Sequence, residues 1–226
     1  MRPGEVNTLG SYYYLELAGP GTVPEWLPAS SKTFLDSGAY SAWSLGKQIN
    51  LEQYASYLQR LPFAFTEVAA LDVIGNPKLS LEYALKMREV IPSIIPCFHI
   101  GEDWGYLNEY KSFDKVALGG MVGHRDPKLM RKWIEQCFAR LWPKKIHLFG
   151  IRNFDILAMF PFHSLDNSDW SKFVARYRYT PTTKRQFLRR VDCDQLGDTI
   201  VSGLECLDIQ AQITALWSSK GVSWDD

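Results

Sequence analysis

Four side chains able to do acid–base or nucleophilic chemistry stand where short apolar runs stop. They are Asp36 after Thr33-Phe34-Leu35, Asp72 after Phe65 to Leu71, His99 after Ile94 to Phe98, and Asp166 after His163-Ser164-Leu165. Two further runs, Lys115 to Leu118 and Lys145 to Phe149, end in Gly119-Gly120 and Gly150. Apolar runs of this length read as buried strands, and the glycines punctuate their ends. Two carboxylates facing one sugar carbon support a double displacement: one attacks the anomeric carbon, and the other trades protons with the departing and arriving groups. Adjacent glycines let backbone amides approach a planar heterocycle, and Tyr40 and Phe149 are placed to sandwich it. Plainer roles exist for each residue. Asp36 can cap the next helix, Asp72 can bind Asn76 and the turn amides after it, and His99 can be a satisfied strand-end histidine.

The elements that must position these groups alternate between strand and helix. Residues 11 to 17, Ser-Tyr-Tyr-Tyr-Leu-Glu-Leu, read as a first strand, followed by a Gly/Pro-rich loop through Pro28. After the Asp36 strand, Asn50 opens a helix carrying Leu51, Tyr54, Ala55 and Leu58 on one face. Leu81, Ala84 and Leu85 mark a second helix, closed near Pro92. Asp126-Pro127 opens the clearest one, with Met130, Trp133, Ile134, Cys137, Phe138 and Leu141 at 3-4 spacing as its core face. A short helix is expected over Phe154 to Phe160, an eighth strand over Phe173 to Tyr179, and a helix over residues 198 to 218. Alternation of this kind argues a parallel sheet. A compact (β/α)8 barrel spanning residues 1–226 as a single domain is the economical solution, with a doubly wound open sheet as the alternative. In both, ligands bind at the carboxyl ends of the strands, where the polar series above would converge.

Composition narrows the class. The chain has 226 residues, 46% of them hydrophobic, and a mean hydropathy of −0.18, as expected for a soluble globular protein with a large core. Met1-Arg2-Pro3-Gly4-Glu5 lacks a signal-peptide apolar region and no apolar run is long enough to span a bilayer, so a cytoplasmic location is expected. Cys97, Cys137, Cys193 and Cys206 lie far apart, and His99, His124, His147 and His163 complete no zinc pattern; neither a metal nor another cofactor is expected. There is no Gly-rich phosphate loop and no Gly-x-Ser-x-Gly elbow, and Cys97 falls in the core by alternation. The formal net charge is zero, but it is unevenly spread. Residues 171–191 carry Lys172, Arg176, Arg178, Lys184, Arg185, Arg189 and Arg190 without one acidic residue, interleaved with Phe173, Tyr177, Tyr179 and Phe187. Phosphate neutralisation with base stacking would use such a segment; a solvated face paired with the acidic residues after 192 would also account for it.

Taken in order, these motifs resemble those of the tRNA-guanine transglycosylase superfamily, which exchanges a guanine in nucleic acid for a 7-deazaguanine. Asp36-Ser37-Gly38-Ala39-Tyr40-Ser41 looks like its Asp-Ser-Gly-Gly-Phe-Gln motif, Leu71-Asp72 its base-recognising Asp, and Gly119-Gly120-Met121 its Gly-Gly-Leu. Leu148-Phe149-Gly150-Ile151 is similar to Leu-Met-Gly-Val, and Leu165-Asp166-Asn167 falls where the family has Phe-Asp-Cys. The likeness implies Asp166 as nucleophile, with Asp169 as a rival, and Asp36 as general acid/base. It implies that Ser37, Asp72, His99, Gly119, Gly120, Met121 and Gly150 bind the base, with Tyr40 and Phe149 on its faces. His99 stands where the family has Gln. The chain is short and lacks both the Cys-rich zinc subdomain and the Pro-Thr-Arg that follows the nucleophile. It is thus most like the compact bacteriophage relatives that act on DNA, with tRNA the less favoured polymer. In that picture the basic segment grips the nucleic acid, no membrane is involved, and a homodimer is possible. A glycosidase or base-excising N-glycosylase would use the same two acids with water as acceptor, and a non-catalytic nucleic-acid module would need only the basic segment.

Overall fold

The computed structural model describes residues 8–18, 33–60, 65–122, 124, 126–150, 153–166, 179–180, 189–190 and 208–224. Two units make up the chain, Met1–Gly120 with Ala139–His147, and Met121–Phe138 with Leu148–Asp226. The fold class is α/β with parallel sheets.

In the first unit, β1 (Thr8–Ser11), β2 (Thr33–Asp36) and β3 (Glu67–Val68) pair in parallel, with Leu9 opposite Phe34 and Phe34 opposite Glu67. A parallel bridge from Ala69 to Ile95 carries the ladder onward, with the Ala70 amide donating to the Ile95 carbonyl at 2.8 Å. Next come β4 (Cys97–His99), paired in parallel with β5 (Lys115–Gly119), and then β6 (Lys145–Leu148), whose last residue belongs to the second unit. Among the described strands of this unit, spatial order follows chain order without reversal, whereas a doubly wound sheet turns back at a switch point. Contacts across the strands show the sheet bending round. Phe34 on β2 stacks on His147 of β6, ring centroids 4.5 Å apart, although three strands separate theirs in the ladder. Lys115 of β5 reaches Glu67 of β3 at 2.6 Å and lies over the Phe34 ring. Side chains from β2, β3, β5 and β6 therefore meet on one face, as the inward layers of a curled parallel sheet do.

Helices alternate with these strands. Residues Tyr54, Tyr57 and Leu58 of α3 (Leu51–Arg60) repeat at helical spacing and are buried. Asn50 accepts from the Gln53 amide at its start. Asn76 caps α4 (Pro77–Val90) by accepting from the Leu79 amide, with Pro77 in the first turn, where its missing N–H costs nothing. The expected strand over 11–17 is instead α1 (Tyr12–Ala18). Its aromatic run has strand propensity, but Tyr12, Tyr13 and Leu15 are buried while Tyr14 is exposed, a helical pattern. Tyr12 packs on Tyr54 and Tyr57 of α3, and that contact overrides local preference. Two short helices that the sequence reading did not assign, α2 (Ala39–Ser44) and α5 (Trp104–Tyr110), follow β2 and β4.

The second unit holds most of α6 (Pro127–Leu141), together with α7 (Phe154–Met159), β7 (Ser164–Leu165) and a helix over 208–219, here α8. Asp126 accepts from the Lys128 and Leu129 amides at the start of α6, as its position before Pro127 implies. Phe138 is stacked by Phe160 and met edge-on by Phe162, and the Trp217 indole donates to the Leu157 carbonyl. The eighth strand expected over 173–179 lies outside the described residues apart from its last. Tyr179 and Thr180 form β8, which pairs antiparallel with β9 (Arg189–Arg190), so this ladder does not continue the parallel series. Of the helix expected over 198–218, residues 208 onward are helical and the rest lie outside the described residues. Among the described residues, no helix is long and apolar enough to cross a membrane.

One turn locks the Asp36 end of β2. Gly38 has φ +74°, and a Cβ there would lie 2.5 Å from both Ser11 Oγ and Tyr13 Cβ. Gly46 shares the left-handed backbone, φ +67°, but a Cβ on it would meet nothing within 4 Å. A left-handed alanine costs about 1–2 kcal/mol at either position, and overpacking adds about 1–3 kcal/mol at Gly38 alone. In urea unfolding, Gly38→Ala is therefore expected to lose more stability than Gly46→Ala by that second amount. Equal losses would mean that α1 does not press on the turn.

Candidate active site

Asp36, His99 and Gly119 are the last residues of β2, β4 and β5, Gly120 follows β5, and Asp72 lies on the chain beyond β3, past the Ala69 bridge. Asp36 closes β2, half-buried, and Ser37 after it is buried with its Oγ accepting from the Ala39 amide. The capping alternative does not hold for Asp36, because the residue at the start of α2 is Gly38 and no side chain caps that helix. Asp72 is set by α4. The Val73 amide donates to Ser80 Oγ at 2.8 Å and the Leu71 amide to Met87 Sδ, so the backbone on both sides of Asp72 is tied to that helix. Asn76 does the capping, and the Asp72 carboxylate is left for His99.

His99 is the hub. Its Nε2 faces Asp72 Oδ2 at 3.4 Å and its Nδ1 faces Glu102 Oε1 at 3.0 Å. The other Glu102 oxygen accepts from the His99 backbone amide at 3.0 Å, so one carboxylate grips both ring and main chain. The side chains are 19% exposed for His99, 14% for Asp72 and 13% for Glu102, enough to be reached and too little to be well hydrated. Burial works against a charge on this ring, while the Cys97 sulfur and the Asp72 carboxylate work for it. The net effect raises its pKa well above the ordinary 6.5. Cys97 is itself pushed up to about 12, first by burial, so at neutral pH it carries a thiol and the anion that holds His99 charged is Asp72. Burial also raises Tyr54 and Tyr110, helped by Asp36 and Asp72 at Tyr54, and by Asp72 and Glu102 at Tyr110. Asp36 and Asp72 thus both act on Tyr54, whose hydroxyl donates to the carbonyl of Ala69, directly after β3.

The glycine pair has a local reason. Gly119 is opposite His99 in register, and a Cβ on it would fall 2.7 Å from Cys97 Sγ and 3.1 Å from His99 Cδ2. On Gly120 a Cβ would sit 3.0 Å from His99 Cβ. The space the two glycines leave is taken by Cys97 and His99, so they serve first to seat the imidazole. Tyr40 projects from α2 at 53% exposure, beside Trp43 at 54%, ring centroids 5.8 Å apart.

The remaining candidates belong to the second unit. Asp166 follows β7, and its Oδ1 accepts from the Gly150 amide at 3.0 Å while its own amide donates to the Leu148 carbonyl. Met121 is buried, and Phe149 is half-buried. Lys172, Arg176, Arg178, Lys184 and Arg185 lie outside the described residues, as does Asp169. Arg189 and Arg190 are described as the backbone of β9. Sequence reasoning missed Glu102 as a site residue. Its signal was the His-x-x-Glu spacing across the turn at Gly101, which brings a carboxylate back to the ring. Cys97 was correctly placed in the core, yet its sulfur borders the site.

The His99 charge has a signed consequence. A folded pKa raised above the unfolded value stabilises the fold fully below about pH 6.5, and that contribution is lost as pH rises through the folded value. In chelator-treated protein, the stability gap between wild type and His99→Gln is expected to be widest near about pH 6 and to narrow toward about pH 9. A gap that widens with pH would refute a charged His99. No family model matches the chain, and no curated protein matches it.

Proposed function

We propose that the chain is a base-exchange transglycosylase that replaces guanine in DNA with a 7-deazaguanine such as 7-cyano-7-deazaguanine, through a covalent glycosyl-aspartyl intermediate. The observation that carries the reading is that Asp36, His99 and Gly119 close parallel strands and that Asp72, on the chain just beyond β3, faces His99, at the edge where parallel α/β folds bind ligands. A closed eight-stranded barrel is part of the proposal. The unreversed strand order and the Phe34–His147 contact across the sheet support it.

In this mechanism the Asp166 carboxylate attacks C1′ of the target nucleotide, and the bond to the guanine nitrogen breaks. The electron pair leaves with the base, and Asp36, protonated beforehand, delivers its proton to the departing heterocycle. Asp36, now a carboxylate, takes the proton from the ring nitrogen of the incoming 7-deazaguanine. That nitrogen attacks C1′ and expels Asp166. Each acid returns to its starting state, with no oxidant, reductant or cofactor consumed. The Gly150 amide bound to Asp166 Oδ1 would hold one carboxylate oxygen so that the other can attack. Asp72 and His99 offer an acceptor and a donor to the base edge. His99 kept charged is a fixed donor, a role a Gln amide also fills. Tyr40 and Trp43 are half-exposed aromatic faces for bases to stack on. The polymer would be held by the 171–191 segment, in the cytoplasm that contains it (the host's, for a phage chain), with a homodimer as a possible working form.

Guanine-labelled DNA and tRNA incubated in parallel with 7-cyano-7-deazaguanine test this directly. Label release from DNA with retention of the deazaguanine in polymer is expected. Release with water as the sole acceptor would make the chain an N-glycosylase, and release from tRNA alone would move the substrate to RNA. Asp36→Asn is expected to slow exchange by about 10²–10⁴-fold. Asp166→Asn is expected to abolish both exchange and the trapped protein–DNA adduct, which Asp169→Asn retains. Full activity in Asp166→Asn would remove the nucleophile assignment. Replacing Arg176 and Arg178 with Gln should weaken DNA binding and flatten the dependence of log K on log salt by about 0.9 per lost phosphate contact; an unchanged slope would take the segment out of the interface.

A further inference from the structure

We infer that Asp72, Cys97 and His99 form a binding site for a divalent transition-metal ion of the zinc type, with Glu102 as the outer carboxylate that orients the imidazole. The assignment stands on the first unit alone and does not depend on the transglycosylase reading. A carboxylate oxygen, the Cys97 sulfur and a ring nitrogen of His99 all lie within 4.8 Å of one another. Zinc bonds of about 2.0–2.3 Å in a tetrahedron set neighbouring ligand atoms roughly 3–4 Å apart, which the 3.4 Å from Nε2 to Asp72 Oδ2 already matches. Sulfur, imidazole nitrogen and carboxylate oxygen together suit zinc, whereas calcium and magnesium take oxygen alone.

Three further features separate this from a chance cluster. Glu102 holds Nδ1 at 3.0 Å and also the His99 backbone amide, the carboxylate–histidine arrangement that fixes the tautomer and aims the other nitrogen at a metal. Nε2 is then the nitrogen left facing Asp72 Oδ2, with the Cys97 sulfur in the same cluster, so that a cation can bond to a ring nitrogen, the oxygen and the sulfur together. Gly119 is the third feature, since any side chain there would displace Cys97 Sγ and the His99 ring. Binding forms bonds from the metal to Sγ, Nε2 and a carboxylate oxygen; the thiol proton leaves to solvent, and nothing is oxidised. Three protein ligands leave one position open, the pattern of reactive rather than closed structural zinc sites. Cys97 and His99 are the first and last residues of β4, with one residue between them, and Asp72 lies on the chain just beyond the preceding strand. No chain-local zinc spacing announces them.

The test uses the full chain, stripped with chelator and loaded with Zn²⁺ or Co²⁺. One ion per chain is expected to survive dialysis, and the cobalt form should show a sulfur-to-cobalt charge-transfer band in the near ultraviolet. Cys97→Ser should lose the band, while Cys137→Ser, Cys193→Ser and Cys206→Ser keep it. Glu102→Gln, which leaves all three ligands and spares the core, should weaken zinc binding about 10–100-fold. Binding without the band, a band abolished by one of the other three cysteines but not by Cys97→Ser, or unchanged affinity in Glu102→Gln would each overturn the assignment. Because the readout is metal retention and absorbance, failure of base exchange leaves the result intact, and the reverse holds too.

Discussion

The imidazole of His99 has a carboxylate at each nitrogen, and most of the first unit's local design answers that constraint. A ring held between Asp72 and Glu102 in a poorly hydrated place must find both partners in position, since a lone buried carboxylate would be costly. Glu102 is supplied by the turn that ends β4, three residues on. Asp72 comes from the preceding strand end, where Ser80 and Met87 of α4 bind the amides on either side of it. The ring itself has room only because the residue that ends β5 and the one after it are Gly119 and Gly120. Four separate elements thus converge on one side chain.

Opposite these strand ends, the starts of the strands are tied by a second polar device. Lys115 is nearly buried and finds Glu67 two strands away, with the Phe34 ring beneath its ammonium and His147 stacked on that ring. An ion pair of this kind contributes little net stability beyond what an apolar pair would, but it discriminates among registers. Sliding β5 by one residue against β4 would turn Lys115 outward and carry Gly119 away from His99. Register at the strand starts therefore sets geometry at the strand ends.

Strand ends were the legible part of the sequence. A short apolar run stopped by Asp36, Asp72 or His99 can be read from composition and period alone, and β2, β4, β5 and β6 fall where those runs lie. The helix after Asp126-Pro127 was legible for the same reason, its cap and its 3-4 spacing agreeing. The run Tyr12-Tyr13-Tyr14 was not, because its fate is decided by Tyr54 and Tyr57, more than forty residues later. Helices α2 and α5 are too short for periodicity to declare. The bond between Asp72 and His99 was beyond reach for a different reason: each has a plain local role available, and only register and the loop before α4 decide that they face each other. Glycines misled in kind rather than in place. Gly119-Gly120 were read as room for a ligand, whereas their immediate neighbours are Cys97 and His99.

The arrangement around His99 also bears on how the two proposed roles can coexist. Once Glu102 holds Nδ1, a single ring nitrogen is left, and it can donate to a base edge or bind a cation but not do both at one time. A metal on Asp72, Cys97 and His99 would take over recognition rather than join it. Its open position would then accept a keto oxygen or a water where Nε2 otherwise offers a hydrogen. Asp36 is not among those three ligands, so the proposed proton transfer at the end of β2 would survive either occupancy. Charge favours neither state strongly. The imidazolium brings one positive charge to two carboxylates, and a divalent ion with a neutral imidazole brings two charges to the same pair plus a thiolate. Both leave a net charge of minus one, so the choice falls to bonding preference: sulfur and nitrogen close together favour a soft cation over a proton.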